Sequence, residues 1–349
     1  MLDSLHIKNF RCFEDLTIPS LGRVNLIVGK NSVGKTTLLE AIDILGNDAV
    51  ISNIRKITQQ RSLEKIEELF NSKTQSSIYI GNLDHTTGIE ISLTNGDISV
   101  RSIEGKIEKP TTDHSKSNKA IALKINTLQE LFDLFDSEPR ERLNSSSIYS
   151  SFSSTKLESE EFIHSLYGFL STDDEFNDTG LHHLILEWLR IINNKINHLY
   201  FLKKEKNIIA MIKIDGINDA IPLQSMGEGI KRLLQMLLRG FESGMFSGEY
   251  GGFWLIDEFE NGLHYSIQEE VWEKLFKLAK ELDIQVFATT HSEDTVKAFC
   301  KVSLADDEVD GKLISLGRSA AIADNGKILA DVYDEKTLAW IVQSGMEVR

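Results

Sequence analysis

The chain has 349 residues, 41% of them apolar, and a formal net charge of −15. That length holds one large α/β domain with insertions or two modest domains, and the apolar share is ample for a buried core. The acidic balance argues against strong sequence-independent duplex binding by a single chain, because such binding rests on phosphate neutralisation by basic side chains.

A local basic strip stays possible, so DNA contact is not excluded. Lys203, Lys204 and Lys206 form the densest cluster, which reads more simply as a solvated turn. No apolar run reaches the length of a membrane span, so no membrane partner is expected. The first residues lack the basic flank and apolar stretch of a signal peptide. Cys12 and Cys300 have no metal-ligand spacing, and a reducing cytoplasm is the simplest home.

In chain order, Leu2–Phe13 reads as a strand, and Leu16–Pro19 continues the sheet. Val24–Val28 is a short buried-type strand ending in a Gly-rich turn. A helix starts near Lys35, with Leu38, Leu39, Ile42 and Leu45 on one face. Residues Ser77–Glu108 read as antiparallel strands, with Ile89–Leu93 and Ile98–Val100 flanking the hairpin signal Asn95-Gly96. Lys109–Asn118 reads as a loop and Ile121–Ile125 as a strand. A helical, Ser-rich stretch follows over Leu128–Leu170, broken at Ser145–Ser154. Leu181–Leu199 is expected to be helical and Ile208–Ile214 a strand. The last third reads helix (Glu228–Glu242), strand (Phe253–Ile256), helix (Tyr265–Leu282) and strand (Ile284–Ala288). The expected organisation is one domain over 1–349. It has an antiparallel β-subdomain at 77–125, a helical lobe at 126–199, a motif-bearing core at 200–300 and an extension at 301–349. No internal repeat or heptad array is visible.

Gly29-Lys30-Asn31-Ser32-Val33-Gly34-Lys35-Thr36 fits G-x-x-x-x-G-K-[ST]. Glycines let such a loop turn its N–H groups around phosphate oxygens. Lys35 supplies a point charge to the β/γ phosphates and Thr36 a hydroxyl to Mg²⁺. The following helix, which includes Thr37, adds its positive end. A preceding apolar strand and a following amphipathic helix favour this reading over an ordinary Gly turn.

Gly252–Ile256 is an apolar strand ending in Asp257 and Glu258. A hard cation beside a triphosphate needs oxygen ligands, which suits Asp257. Glu258 could polarise an attacking water. The plainer alternative is a strand running into an acidic helix start. Ser225-Met226-Gly227-Glu228-Gly229 opens a helix with clean apolar periodicity. Ser225 and Glu228 have capping-box spacing, yet the same hydroxyl and glycines could form an anion site. His291 follows the strand Ile284–Ala288, where it could touch a γ-phosphate or serve only a structural role.

Together these motifs resemble the ABC-type ATPase heads of the RecF/SMC/OLD group within the AAA family ATPases (AAA_21-like). Leu5–Phe13 looks like that group's opening strand. Asp257–His264 is similar to its acidic motif running into a dimer-contacting loop, and Ala288–Ser292 to its switch-histidine segment. The resemblance covers about residues 1–46 and 222–300. It implies an α/β ABC-ATPase head: a mixed sheet with a P-loop core, an antiparallel β-subdomain and a helical lobe. It also implies ATP and Mg²⁺ as cofactors. Gly29 to Thr37 would hold the nucleotide, Thr36 and Asp257 the metal. Glu258 and His291 would be catalytic, and Ser225 and Gly227 of a second copy would complete the site in a homodimer. Long coiled-coil arms and a TOPRIM nuclease domain are not recognisable, and Gln59, Gln60 and Gln75 are all open as the family's Gln-loop residue. The implied role is an ATPase switch in anti-phage defence or DNA maintenance, paired with a separate effector such as a nuclease. A transporter's nucleotide-binding subunit is one alternative. A nuclease using the acidic run Asp306-Asp307-Glu308-Val309-Asp310 is another, though that run reads more simply as a solvated loop.

Overall fold

The computed structural model describes residues 1–46, 54, 57–59, 61–62, 66–71, 77–94, 97–103, 167, 180–204, 207–245, 252–306, 308–321, 326–333 and 335–344. They divide into two compact units. The first holds the described residues of Met1–Lys106 and Arg239–Arg349, the second those of 154–238. The turn Asn95-Gly96, the loop Lys109–Asn118, the strand Ile121–Ile125 and the break Ser145–Ser154 lie outside the described residues. So does the helix Leu128–Leu170, apart from residue 167.

The first unit contains a mixed sheet of β3 (Val24–Gly29), β10 (Gly252–Ile256), β11 (Ile284–Thr289), β12 (Gly311–Arg318) and β13 (Ile328–Tyr333). Its spatial order is β10-β11-β3-β12-β13. The first four run parallel, and β13 is antiparallel to β12. Every residue of β3, β10 and β11 is buried, as expected for parallel strands covered on both faces. Ile256 pairs with Ala288, and Thr289 with Ile27. The carboxyl ends of the three strands therefore meet at one edge. The sequence reading treats 301–349 as an extension and finds no strand there. In the fold β12 lies directly beside β3, with Leu316 opposite Gly29.

A second sheet is antiparallel: β1 (Leu5–Phe10), β2 (Phe13–Ile18), β4 (Ser77–Gly81), β5 (Gly88–Thr94) and β6 (Asp97–Ile103), in the order β2-β1-β4-β5-β6. The single strand expected over Leu2–Phe13 breaks here. Asn9 and Arg11 take positive φ, 57° and 52°, and β2 folds back so that Phe13 faces Phe10. The β5–β6 hairpin pairs Leu93 with Ile98 and Thr94 with Asp97, as the Asn-Gly signal requires. Helix α1 (Lys35–Leu45) packs its apolar residues into a core shared with both sheets. Leu38, Leu39 and Ile42 are wholly buried, each contributing about 1.5–3 kcal/mol.

In the second unit, α2 (Gly180–Arg190) is followed by β7 (Ile196–Lys204), β8 (Asn207–Ile214) and β9 (Ile221–Pro222). The helix expected over Leu181–Leu199 therefore ends early. The Asn193 side chain accepts the Lys195 amide in a turn, and Ile196 begins the strand. Helix α3 (Glu228–Met245) buries Ile230, Leu233, Leu234, Leu237, Leu238 and Phe241. In its C-terminal part, which belongs to the first unit, a Cβ on Gly240 would stand 3.0 Å from the Trp254 ring, so only glycine allows this approach. Helices α4 (Gln268–Glu281), α5 (Glu293–Ala305) and α6 (Glu335–Ser344) complete the first unit. The helix read as starting at Tyr265 begins with a 3-10 turn, Tyr265–Ile267, before α4. Among the described residues no helix is long and apolar enough to cross a membrane; strands are not covered by that statement.

Candidate functional site

The loop between β3 and α1 is held by unusual backbone. Gly29, Ser32 and Gly34 have φ of 146°, 62° and 94°, the alternation that turns successive N–H groups toward an anion. A Cβ on Gly29 would stand 2.4 Å from the Leu316 carbonyl, and one on Gly34 2.7 Å from Cys12 Sγ and 2.8 Å from the Phe13 ring. Lys30, Asn31 and Ser32 are exposed, whereas Val33, Lys35 and Thr37 are buried. Arg318, at the end of β12, donates to the Ser32 carbonyl at 3.2 Å.

Lys35 Nζ donates to the Gly29 carbonyl at 2.7 Å and the Lys30 carbonyl at 3.2 Å, and lies 3.3 Å from His291 Nδ1. Burial lowers its pKa below the ordinary 10.5, and the carboxylates of Asp257, Glu260 and Glu258 oppose that shift only in part. This buried cation is held by two carbonyls and an imidazole whose residues line an open cavity. That cavity, about 820 Å³, is lined by Gly29, Lys30, Asn31, Glu258, Thr290 and His291 among others.

Thr36 Oγ1 donates to Asp257 Oδ2 at 3.1 Å, joining the start of α1 to the end of β10. This pair of oxygens suits a hard divalent cation. The residues present thus fit a nucleotide phosphate group and its metal.

Glu258 has φ of 49°, a left-handed conformation costing about 1–2 kcal/mol in a non-glycine residue. Three contacts fix it. Its amide donates to Thr289 Oγ1 at 2.9 Å, its carboxylate accepts from Asn261 Nδ2, and the next residue, Phe259, is buried and stacks on Trp272 at 3.9 Å. Thr289 Oγ1 in turn donates to Asp257 Oδ1 at 2.5 Å. Glu260 accepts from Thr290 Oγ1 and from the His291 amide.

Lys35, Thr36, Asp257, Glu258 and His291 are thereby assembled at one sheet edge. Sequence reasoning assigned no role to Thr289, Thr290, Glu260 or Asn261. The signal available was their place at strand ends beside acidic residues. Ser225 and Gly227 belong to the second unit. Ser225 ends a 3-10 turn, Leu223–Ser225, and α3 starts only at Glu228, so Ser225 is not the helix cap. Glu228 pairs with Lys231 at 2.8 Å instead of reaching back, so the capping box is not formed. Both Ser225 and Gly227 are exposed. Gln59 is exposed, while Gln60 and Gln75 lie outside the described residues. In the acidic run, Asp306 caps the amides of Glu308 and Val309, and Asp310 pairs with Lys312. Asp307 lies outside the described residues, as does Lys206 of the basic cluster.

Residues 24–296 match the family model described as "AAA domain, putative AbiEii toxin, Type IV TA system". An ATP/GTP phosphatase of Helicobacter pylori is 23% identical, over 86% of this chain and 88% of its own length. An OLD nuclease of Thermus scotoductus is 54% identical over only 48 residues, 14% of this chain and 9% of the nuclease. Among solved structures, an SMC head bound to the C-terminal winged-helix domain of ScpA superposes with a TM-score of 0.56. It is 16% identical, over 96% of this chain and 99% of that one. An SMC head of Pyrococcus furiosus gives 0.52 at 15% identity, over 99% of each. The fold is that of an ABC-type ATPase head.

Proposed function

Since the chain belongs to this family of AAA/ABC-type ATPases, we propose that it hydrolyses ATP as a switch whose heads dimerise around the nucleotide. The observation that carries the reading is the meeting of Lys35, Thr36, Asp257, Glu258 and His291 at one sheet edge. Residues Gly29 to Thr37 would cradle the phosphates. Thr36 and Asp257 would hold Mg²⁺, which supplies charge neutralisation to the phosphate oxygens when bound. Lys35 exchanges its present carbonyl acceptors for phosphate oxygens. Glu258 orients and polarises the attacking water, and its fixed left-handed backbone keeps the carboxylate aimed without reorganisation. His291, beside Lys35, contacts the terminal phosphate.

Ser225 and Gly227 of a second copy would close the site from the opposite side. Their exposure supports this. ATP then joins two heads and hydrolysis parts them, a population shift driven by differential affinity. The biological setting we favour is anti-phage defence or DNA maintenance with a separately encoded effector such as a nuclease. Support comes from the toxin–antitoxin wording of the family and the nuclease among the relatives.

The test is Glu258→Gln in size-exclusion chromatography with light scattering. A stable dimer at saturating ATP, absent without nucleotide, is expected. A monomeric Glu258→Gln protein, alongside a wild type that hydrolyses ATP normally, sinks the sandwich.

A further inference from the structure

We infer that Glu260 is a positioning residue that sets His291 for hydrolysis, an inference resting on the ATPase reading above. Glu260 sits in the turn after Glu258, and the Leu263 amide donates back to its carbonyl at 2.9 Å. Its side chain crosses to the loop after β11. Oε2 accepts from Thr290 Oγ1 at 2.7 Å, and Oε1 accepts from the His291 amide at 2.8 Å. The Thr290 hydroxyl also accepts the Ser292 amide at 2.9 Å, and Ser292 caps α5 by accepting the Thr295 amide. The Thr290 amide is fixed to the Ile27 carbonyl, 3.1 Å away on β3. One carboxylate thus pins residues 290–292, of which His291 is exposed and Thr290 buried, and so sets the imidazole beside Lys35.

The two bonds suit a carboxylate. Two donors converge on two oxygens, and charge-assisted bonds of this length are stronger than neutral ones. Glutamine would keep one acceptor for the His291 amide but turn its NH₂ toward Thr290 Oγ1, so the hydroxyl must reorient to accept and both bonds lose their charge assistance. The geometry of residues 290–292, and through it the position of His291, rests on these two hydrogen bonds. Its hydrogen bonds go to Thr290 and to the His291 amide, so it acts through the segment that carries the histidine.

Steady-state hydrolysis should be measured for wild type, Lys35→Met, Glu260→Gln, His291→Ala and Glu260→Gln/His291→Ala, with affinity for a fluorescent ATP analogue read in parallel. Glu260→Gln is expected to lower kcat about 10- to 100-fold, the worth of one charge-assisted hydrogen bond. KM and analogue affinity should stay near wild type. In the His291→Ala background the same change should lower kcat no further. An equal drop in both backgrounds overturns the inference, as does a wild-type kcat for Glu260→Gln. If Glu260→Gln does not fold, Thr290→Val removes one donor and keeps the carboxylate; its smaller loss must likewise vanish in the His291→Ala background. A wild type without hydrolysis overturns the ATPase reading along with this one. A hydrolysing wild type silenced by Lys35→Met, with Glu260→Gln unimpaired, overturns this one alone.

Discussion

In the antiparallel sheet, polar side chains satisfy one another across neighbouring strands. Glu90 pairs with Arg101, and His6 lies between Asp15 and His85. At the carboxyl edge of the mixed sheet, polar groups reach from loop to loop instead: Thr36 to Asp257, Thr289 to Asp257 and Glu258, Thr290 to Glu260. One region spends its hydrogen bonds on register. The other spends them on holding strained or buried groups where a ligand can use them. A substitution in the first should cost stability and spare turnover; one in the second should do the reverse.

Lys35→Met tests that contrast most sharply. Hydrolysis should fall about 100- to 1000-fold, the cost of removing a group that stabilises developing charge. The nucleotide-free protein should lose little thermal stability, because the apolar stem is kept and the desolvation cost of the ammonium disappears together with its hydrogen bonds. The sign of the pH effect follows. The Lys35 pKa is lowered in the fold, so the unfolded chain holds more protons between that value and 10.5, and stability climbs with pH across the window. Differential scanning fluorimetry of both proteins up to that pH should show a shallower climb in Lys35→Met.

Ile80→Ala sits on the other side of the comparison. Ile80 is wholly buried in β4, and the cavity should cost about 2–5 kcal/mol. Denaturant unfolding should register the loss while kcat of the folded protein stays near wild type. A large drop in kcat with little loss of stability would blur the division between the sheets.

Thr289→Val returns to the site with a change of nearly equal size. Its hydroxyl accepts the Glu258 amide and donates to Asp257, so valine removes both bonds. A kcat lower by about 10- to 100-fold is expected, with only a small change in melting temperature.

The contrast also explains what the sequence made legible. Lys35, Thr36, Asp257 and Glu258 sit where strand ends in an apolar context are visible as spacing alone. Thr289, Thr290 and Glu260 matter because β10 and β11 are neighbours, and pairing of strands so far apart along the chain, Gly252 with Ile284, leaves no local pattern. The break at Asn9–Arg11 was hidden for a different reason. Asn9 is a residue type that tolerates left-handed backbone, but the apolar alternation of Leu2–Phe13 masks it and Arg11 carries no such signal; the left-handed pair accompanies the return of β2. Strands β12 and β13 escaped because an acidic turn and short, half-exposed alternation obscured them.

The smallest expected effect lies in the antiparallel sheet and concerns pH. His6 Nδ1 and His85 Nε2 face each other at 2.9 Å, and the Tyr79 ring stacks on His85 at 4.1 Å. Two imidazolium groups cannot share that contact. Burial lowers the His85 pKa below 6.5, as do the charges of His6 and Lys8, against weaker opposition from Asp84 and Asp15. The unfolded chain therefore binds more protons than the folded one between that lowered value and 6.5, and stability declines as pH falls through this window. Burial lowers His198 in the second unit as well, with the same sign. Asp15 acts at lower pH. Burial would raise its pKa, but the His6 hydrogen bond and the charges of His6, Lys327 and Lys8 outweigh that and leave it below 3.8. Its contribution is present above 3.8 and is lost as pH falls through the lowered folded value. His85→Gln should flatten the decline of melting temperature between about pH 7 and 5 without removing it, since His198 remains. An unchanged slope would mean that this sheet opens after the rest of the molecule has already unfolded.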